Sequence, residues 1–193
     1  MRFVCGPIPP SRILDAEEEG WTPLAEPSSQ RFASIAMALA VPLNVPAVVV
    51  LLNIKSVLRA EPAMLLALAS CLVVMVPLHE MLHAVAYPGW LRSRHLVVGI
   101  WPRRVFAYVV YDSPLPRNRV LLMILTPFVL LSVIPAFALT LLSPAWGGVV
   151  LLFVLIHTSA CAGDFIVFYL IVSQVPSRAW IHNNGWRTYW SVR

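Results

Sequence analysis

The sequence predicts an all-α polytopic membrane protein, with four transmembrane helices and a short β-hairpin between the second and the third. Three observations carry that reading. Hydrophobic residues make up 59% of the 193-residue chain and charged residues only 12%, whereas a soluble domain is near half apolar and a quarter charged; mean hydropathy is +0.78. The apolar residues are gathered into four long runs, each reaching the roughly 20 residues that a helix needs to cross about 30 Å of hydrocarbon. The basic residues, which give a net charge of +5, collect on the connections of one side.

Residues 1–32 are polar and rich in Pro, Glu and Ser, and are expected to form a water-facing N-terminal arm, with a helical turn around LDAEEE. The first span is ASIAMALAVPLNVPAVVVLLNI, 33–54, with a kink expected where Pro42 and Pro46 bracket Asn44, since proline removes a helix hydrogen bond. Lys55, Arg59 and Glu61 make a short polar connection to the second span, 62–87, which closes at Pro88-Gly89. In the connection 89–118, HLVVGIW and RVFAYVVYD are β-branched and aromatic runs separated by Pro102-Arg103, the pattern of a hairpin over 95–111. The third span is 119–143 and the fourth 146–174, followed by a tail, 175–193, with a turn signal at Asn184-Gly185. The whole therefore divides into an arm (1–32), a four-helix membrane domain (33–174) and a tail.

Four crossings put both termini on one side. All but two of the fourteen basic residues, Lys55 and Arg59, fall on that side, so the positive-inside rule predicts a cytoplasmic-membrane protein with both termini in the cytoplasm. Arginines spread along juxtamembrane connections do not make a nucleic-acid patch. Trp90, Trp101, Trp180, Trp186 and Trp190 lie on the same side and suit an interfacial aromatic belt. Cys5, Cys71 and Cys161 are too few and too scattered for a disulfide framework, and read as free or buried thiols. No cleaved targeting segment is read at the N-terminus.

Inside the second span stands HEMLH, 79–83. Residues four apart on a helix share a face, so His79 and His83 can bite one cation, and Glu80, one step round, can reach a water on it. This is the arrangement of zinc peptidases, two imidazole ligands and a carboxylate base. A charged residue at the centre of a membrane helix costs on the order of 2.5–3.5 kcal/mol on insertion scales. A purely structural cluster gives no return on that cost.

A catalytic zinc takes a third protein ligand and keeps one position open. Asp164 and His157 are the candidates. His79 lies 17 residues after Pro62 and Asp164 lies 18 after Trp146, so at about 1.5 Å per residue both sit roughly 26 Å along helices running the same way. His157, seven residues before Asp164, shares its helix face but sits about 10 Å deeper. It reaches the same ion only if the helix breaks near Ala162-Gly163. Otherwise it suits a place behind a ligand or against the substrate carbonyl. Gly163 reads as a point of close helix approach, and Pro77 as a bend in the motif helix.

HEMLHAVAYP on one membrane helix, a later Gly-Asp pair, and an N-terminal Gly20-Trp21 followed by Leu24 to Pro27 resemble the bacterial zincin peptidases catalogued as a domain of unknown function, which are similar to site-2 intramembrane proteases. The resemblance implies zinc on His79, His83 and Asp164, with Glu80 catalytic. Site-2 proteases usually carry an Asn-Pro-Asp-Gly stretch at the third ligand, where this chain has CAGDF.

The function expected is a zinc-dependent endopeptidase that cleaves a membrane-protein segment near the cytoplasmic face, with the bilayer and that substrate as partners and no nucleic acid. The 95–111 hairpin offers an edge on which an extended substrate could add as a strand. Its alternative role is to lie on the lipid surface with its arginines among the headgroups. Two other readings of the whole chain are a non-catalytic zinc-binding scaffold or chaperone, which would not need Glu80, and a metal transporter or sensor, which would string ionisable groups through the bilayer.

Overall fold

The computed structural model describes residues 1–12, 20–53, 62–104 and 106–192. The helical turn expected around LDAEEE and the polar connection of Lys55, Arg59 and Glu61 lie outside these. In chain order the elements are β1 (Arg2–Cys5), β2 (Thr22–Pro23), α1 (Ser29–Asn53), α2 (Pro62–Ala86), β3 (Leu96–Trp101), β4 (Phe106–Tyr111), β5 (Leu115–Pro116), α3 (Arg117–Phe128), a π-helix (Val129–Val133), α4 (Ile134–Ala138), α5 (Pro144–Ala160), α6 (Ala162–Gln174), β6 (Trp180–Asn184) and β7 (Arg187–Ser191).

The fold class is therefore mixed, not all-α. Among the described residues two sheets accompany the helices, one of three strands in the order β1-β3-β4 and one of four in the order β2-β7-β6-β5. The count of spans also changes. The described residues hold two helices long and apolar enough to cross a membrane, Leu66–Ala86 and Arg117–Leu141. A third span exists if the bent pair Trp146–Ala160 and Ala162–Gln174, which meet at 47°, is taken as one. The fourth run is not straight because Cys161, at φ −74° and ψ 2°, leaves helical geometry between α5 and α6. The first run forms α1, which passes through both prolines as one helix and is not among these spans.

The chain divides into two compact units. One comprises Met1–Pro27, Glu80–Thr126 and Ile166–Arg193. Here β3 and β4 form the hairpin expected over 95–111, pairing from Leu96↔Tyr111 to Trp101↔Phe106, and β1 adds in parallel to the outer edge of β3, Arg2 opposite Val97 and Cys5 opposite Ile100. The tail forms a second hairpin, β6–β7, with Gly185 at φ +60° in its two-residue turn, a conformation that glycine adopts without Cβ strain. The Gly20-Trp21 and Leu24–Pro27 stretch straps across this hairpin: β2 pairs with β7, the Leu24 amide donates to the Thr188 carbonyl at 2.9 Å, and the Glu26 carboxylate accepts from the Thr188 amide at 3.3 Å. Trp21 and Leu24 are buried, and Leu24 joins Ile171, Val175, Ala179 and Ile181 in the core of this unit. Trp190 packs against that core, while Trp90, Trp180 and Trp186 are exposed.

A polar clasp ties residues 11 and 12 to the end of β4 and to β6. The Ser11 hydroxyl donates to Asp112 Oδ1 at 2.6 Å and the Arg12 amide to Oδ2 at 3.2 Å. His182 Nε2 lies 3.3 Å from Ser11 Oγ and 3.4 Å from Asp112 Oδ1. Serine and aspartate converge on the same ring nitrogen, whereas a hydrolytic triad places them on opposite ones, so this trio is a fastening. Burial raises the Asp112 pKa, but the hydrogen bonds from Ser11, Arg12 and His182 outweigh it and leave it below the ordinary value of 3.8.

The other unit comprises Ser28–His79 and Pro127–Phe165. Within it α1 packs along α5. Phe32 of α1 approaches Gly163, yet a Cβ there would meet its ring at an ordinary 3.7 Å; the close approach does not require glycine. Its helices turn large apolar side chains outward, among them Met37 at 71%, Val73 at 78% and Phe137 at 78% exposed.

Two predictions arise from the first unit. A Cβ on Gly99 would collide with the buried Tyr108 ring, whose hydroxyl reaches the carbonyls of Gly6 and Pro7. Gly99→Ala is expected to cost about 1–3 kcal/mol of stability by overpacking, read as a lower thermal midpoint. The lowered Asp112 pKa means that folding favours its carboxylate. The clasp is at full strength above pH 3.8 and is lost as pH falls through the lower folded value. Protection of the Arg12 amide against hydrogen exchange should fall only at that acidity in the native chain, and already at neutral pH in Asp112→Asn.

Candidate metal centre

Helix α2 runs unbroken through Pro77 and carries His79, Glu80 and His83 near its C-terminal end. The helical repeat puts His83 one turn beyond His79 on the same face. Its end is held by Arg119, whose guanidinium donates to the Ala86 carbonyl at 2.8 Å, one of the carbonyls that a helix terminus leaves without an internal partner.

His79 is engaged at both ring nitrogens. Nε2 lies 3.2 Å from Asp164 Oδ2, with the two side chains 13% and 22% exposed. Nδ1 lies 3.1 Å from His157 Nε2, the rings tilted at 53°. The sequence count expected His157 about 10 Å away from an ion shared by His79 and Asp164, unless the helix broke. It does break, at Cys161, and His157 approaches the other nitrogen of His79.

His83 Nδ1 lies 3.0 Å from the Met123 carbonyl oxygen. A carbonyl only accepts, so Nδ1 carries the proton and Nε2 keeps its lone pair. Residue 127, four beyond Met123 in α3, is Pro127 and has no N–H to offer that carbonyl. The helix defect is what leaves the oxygen available to His83. Glu80 is half-buried on α2.

His157 is fully buried. Its Nδ1 lies 2.7 Å from Ser132 Oγ, the Phe153 ring stacks on it at 6.1 Å, and Cys161 Sγ lies 3.8 and 3.9 Å from its two nitrogens. The donor atoms of His79 and Asp164 come within 4.8 Å of one another, and so do those of His79, His157 and Cys161. Imidazole, carboxylate and thiolate are zinc's ordinary donors, typically three protein ligands in a catalytic site, so the residues present fit that ion.

Sequence reasoning missed Ser132 and Cys161. Cys161 stands four residues after His157, a same-face spacing that could have been noticed. Ser132, between Pro127 and Pro135, sits where the helix opens into the π-turn, and such turns are frequent at functional sites.

A family described as "Putative zincin peptidase" matches residues 72–180, more than half of the 193-residue chain. The chain belongs to that family. No curated protein and no solved structure matches it. Membership in the zincin peptidases suggests zinc metallopeptidase activity and implies zinc as the metal. The matched span begins in α2 and includes HEMLH, both candidate third ligands, Ser132 and Pro127.

Replacing Pro127 by Ala restores an N–H that competes with His83 for the Met123 oxygen. Removing a partner that orients a metal-binding histidine typically costs 10–100-fold in metal affinity. Here the carbonyl can still accept a second bond, so Pro127→Ala is expected to weaken zinc binding by about tenfold or less, measured by chelator competition, while leaving the apo protein at least as heat-stable.

Proposed function

We propose that the protein is a zinc-dependent endopeptidase of the membrane, with the metal held by His79, His83 and Asp164 and with Glu80 as general base. The observation that carries this reading is the 3.2 Å approach of His79 Nε2 to Asp164 Oδ2. It joins the first histidine of HEMLH to a carboxylate 85 residues away (164 − 79), inside a chain with few carboxylates. The tautomer of His83 adds support, because its lone pair is left on Nε2.

Bound zinc would polarise the scissile carbonyl and lower the pKa of an attacking water. Glu80 takes a proton from that water as its oxygen bonds to the carbonyl carbon. It then delivers the proton to the departing amide nitrogen as the C–N bond breaks. The rest of the chain holds this geometry. Arg119 steadies the end of α2 and Met123 fixes the His83 ring.

The membrane setting is supported by the two or three helices apolar enough to cross, and by the outward-facing apolar side chains of Met37, Val73 and Phe137. Large apolar side chains exposed along helices in such number suit contact with lipid or a partner. With the arginine-rich connections on the cytoplasmic side, HEMLH near the end of its span lies towards that face. The substrate class is a membrane-protein segment, in the manner of site-2 proteases. The outer edge of β3 is taken by β1, so a substrate strand adding to this hairpin would use β4.

The test uses purified full-length protein in proteoliposomes with a panel of single-span membrane proteins. Glu80→Gln is expected to keep zinc and to lower cleavage by about 10²–10⁴-fold, the usual worth of general acid–base catalysis. Chelation should abolish cleavage and zinc should restore it. A wild-type protein that holds no zinc, or a Glu80→Gln protein that cleaves as fast as wild type, overturns the proposal.

A further inference from the structure

His79 can lend Nε2 to a cation only if its proton sits on Nδ1. That proton then needs an acceptor, and the atom facing it is His157 Nε2, at 3.1 Å. An accepting Nε2 fixes the proton of neutral His157 on Nδ1, which faces Ser132 Oγ at 2.7 Å. Ser132 Oγ lies 3.1 Å from Thr158 Oγ1, and Thr158 in turn donates to the Val154 carbonyl at 2.8 Å. The run ends on a backbone acceptor, so every proton in it has a direction. Each member belongs to one compact unit of the fold.

The surroundings keep this run in register. His157 is 0% and Ser132 2% exposed, so their polar atoms are withdrawn from bulk solvent. The π-helix Val129–Val133 carries Ser132; an i→i+5 turn shifts the helical phase locally and re-aims the side chains within it. Phe153 stacks on the His157 ring at 15° between planes and limits its tilt.

We propose that Ser132 and His157 form a buried positioning relay that locks the tautomer and orientation of His79 and presents its Nε2 to zinc. His157 is thus a support for a ligand, not a ligand. The proposal rests on zinc at His79, as argued above. It opposes the other donor set within reach, His79 with His157 and Cys161. A thiolate sharing an ion with His157 Nε2 would sit beyond that nitrogen alone. Cys161 Sγ lies almost equally far from both ring nitrogens, 3.8 and 3.9 Å, across the ring. Nδ1 is already occupied by Ser132.

The experiment measures zinc affinity by chelator competition and the ligand-field spectrum of the cobalt-substituted full-length protein in detergent. His157→Phe keeps the bulk and the stack on Phe153 but removes the acceptor; zinc affinity is expected to fall about 10–100-fold. His157→Gln offers an amide oxygen to His79 and an amide N–H to Ser132, and is expected to recover most of the loss. A purely structural role for the ring would not distinguish the two. Ser132→Ala, a smaller change, should give a partial loss and serves if His157→Phe does not fold. The cobalt spectrum should lack a thiolate charge-transfer band and be unchanged by Cys161→Ser. Wild type that binds zinc while His157→Phe or Ser132→Ala binds it equally well overturns the relay and leaves the zinc reading standing. A thiolate band abolished by Cys161→Ser overturns it in favour of the other donor set. Wild type without zinc overturns both.

Discussion

The geometry of the site depends on how the two nitrogens of one imidazole are divided. His79 meets a carboxylate at Nε2 and a second imidazole at Nδ1, 3.2 and 3.1 Å away, and both partners come from the one broken helix pair α5–α6. In an apolar interior, each ring nitrogen left without a partner would cost about 1–3 kcal/mol. The arrangement leaves neither open. It also removes rotational freedom: a ring gripped at opposite corners cannot flip without losing both contacts. The bend at Cys161 takes part, because His157 and Asp164 sit on opposite sides of it and approach opposite corners of the same ring.

The helical runs and the 95–111 hairpin were legible because their signals are local. Twenty apolar residues in a row, or two β-branched stretches joined by Pro-Arg, specify an element without reference to the rest of the chain. The remaining strands were not legible, and the all-α expectation failed on them. RFVC of β1 finds its partner 95 positions on, Arg2 opposite Val97, and β2 and β5 are two residues each. Two residues have no periodicity to read. Their strand character is imposed by the neighbour, here the β6–β7 hairpin, whose only sequence mark was the Asn184-Gly185 turn. The break in the fourth run had only a weak mark: Cys161-Ala162-Gly163 contains no proline, and a break there entered only as the condition for His157 to reach the ion.

The candidate site was legible to the extent that it is written in side-chain spacing. His79, Glu80 and His83 follow from the helical repeat, and Asp164 from counting rise along two spans that run the same way. The count left His157 two places, on the ion if the helix broke near Ala162-Gly163 or behind a ligand, and could not choose between them. The break at Cys161 brings it to one nitrogen of the His79 ring while Asp164 meets the other. What spacing cannot show is a backbone acceptor. The Met123 carbonyl bears on the tautomer of His83, and its own residue type says nothing of this. The signal was four residues later, in Pro127, and reads only once helix hydrogen bonds are counted as an inventory of donors and acceptors.

That inventory links the site to the irregularity of its helices. A proline in a helix withdraws one N–H from the carbonyl four residues earlier and in a soluble helix costs about 3 kcal/mol or more. In an apolar medium the orphaned oxygen lacks even water as a substitute. A metal-binding histidine has the converse difficulty, because the ring nitrogen that does not coordinate carries a proton that needs an acceptor. At Met123 each need answers the other: the oxygen left by Pro127 takes the proton of His83. The π-turn does the same by other means, since it carries Ser132, the hydroxyl that faces the far nitrogen of His157. The defects in α3 and beyond are therefore conditions for burying two histidines in a greasy segment. A straight, proline-free version of these helices would satisfy its own backbone and offer the imidazoles only carbonyls that are already engaged, which accept a second bond less well.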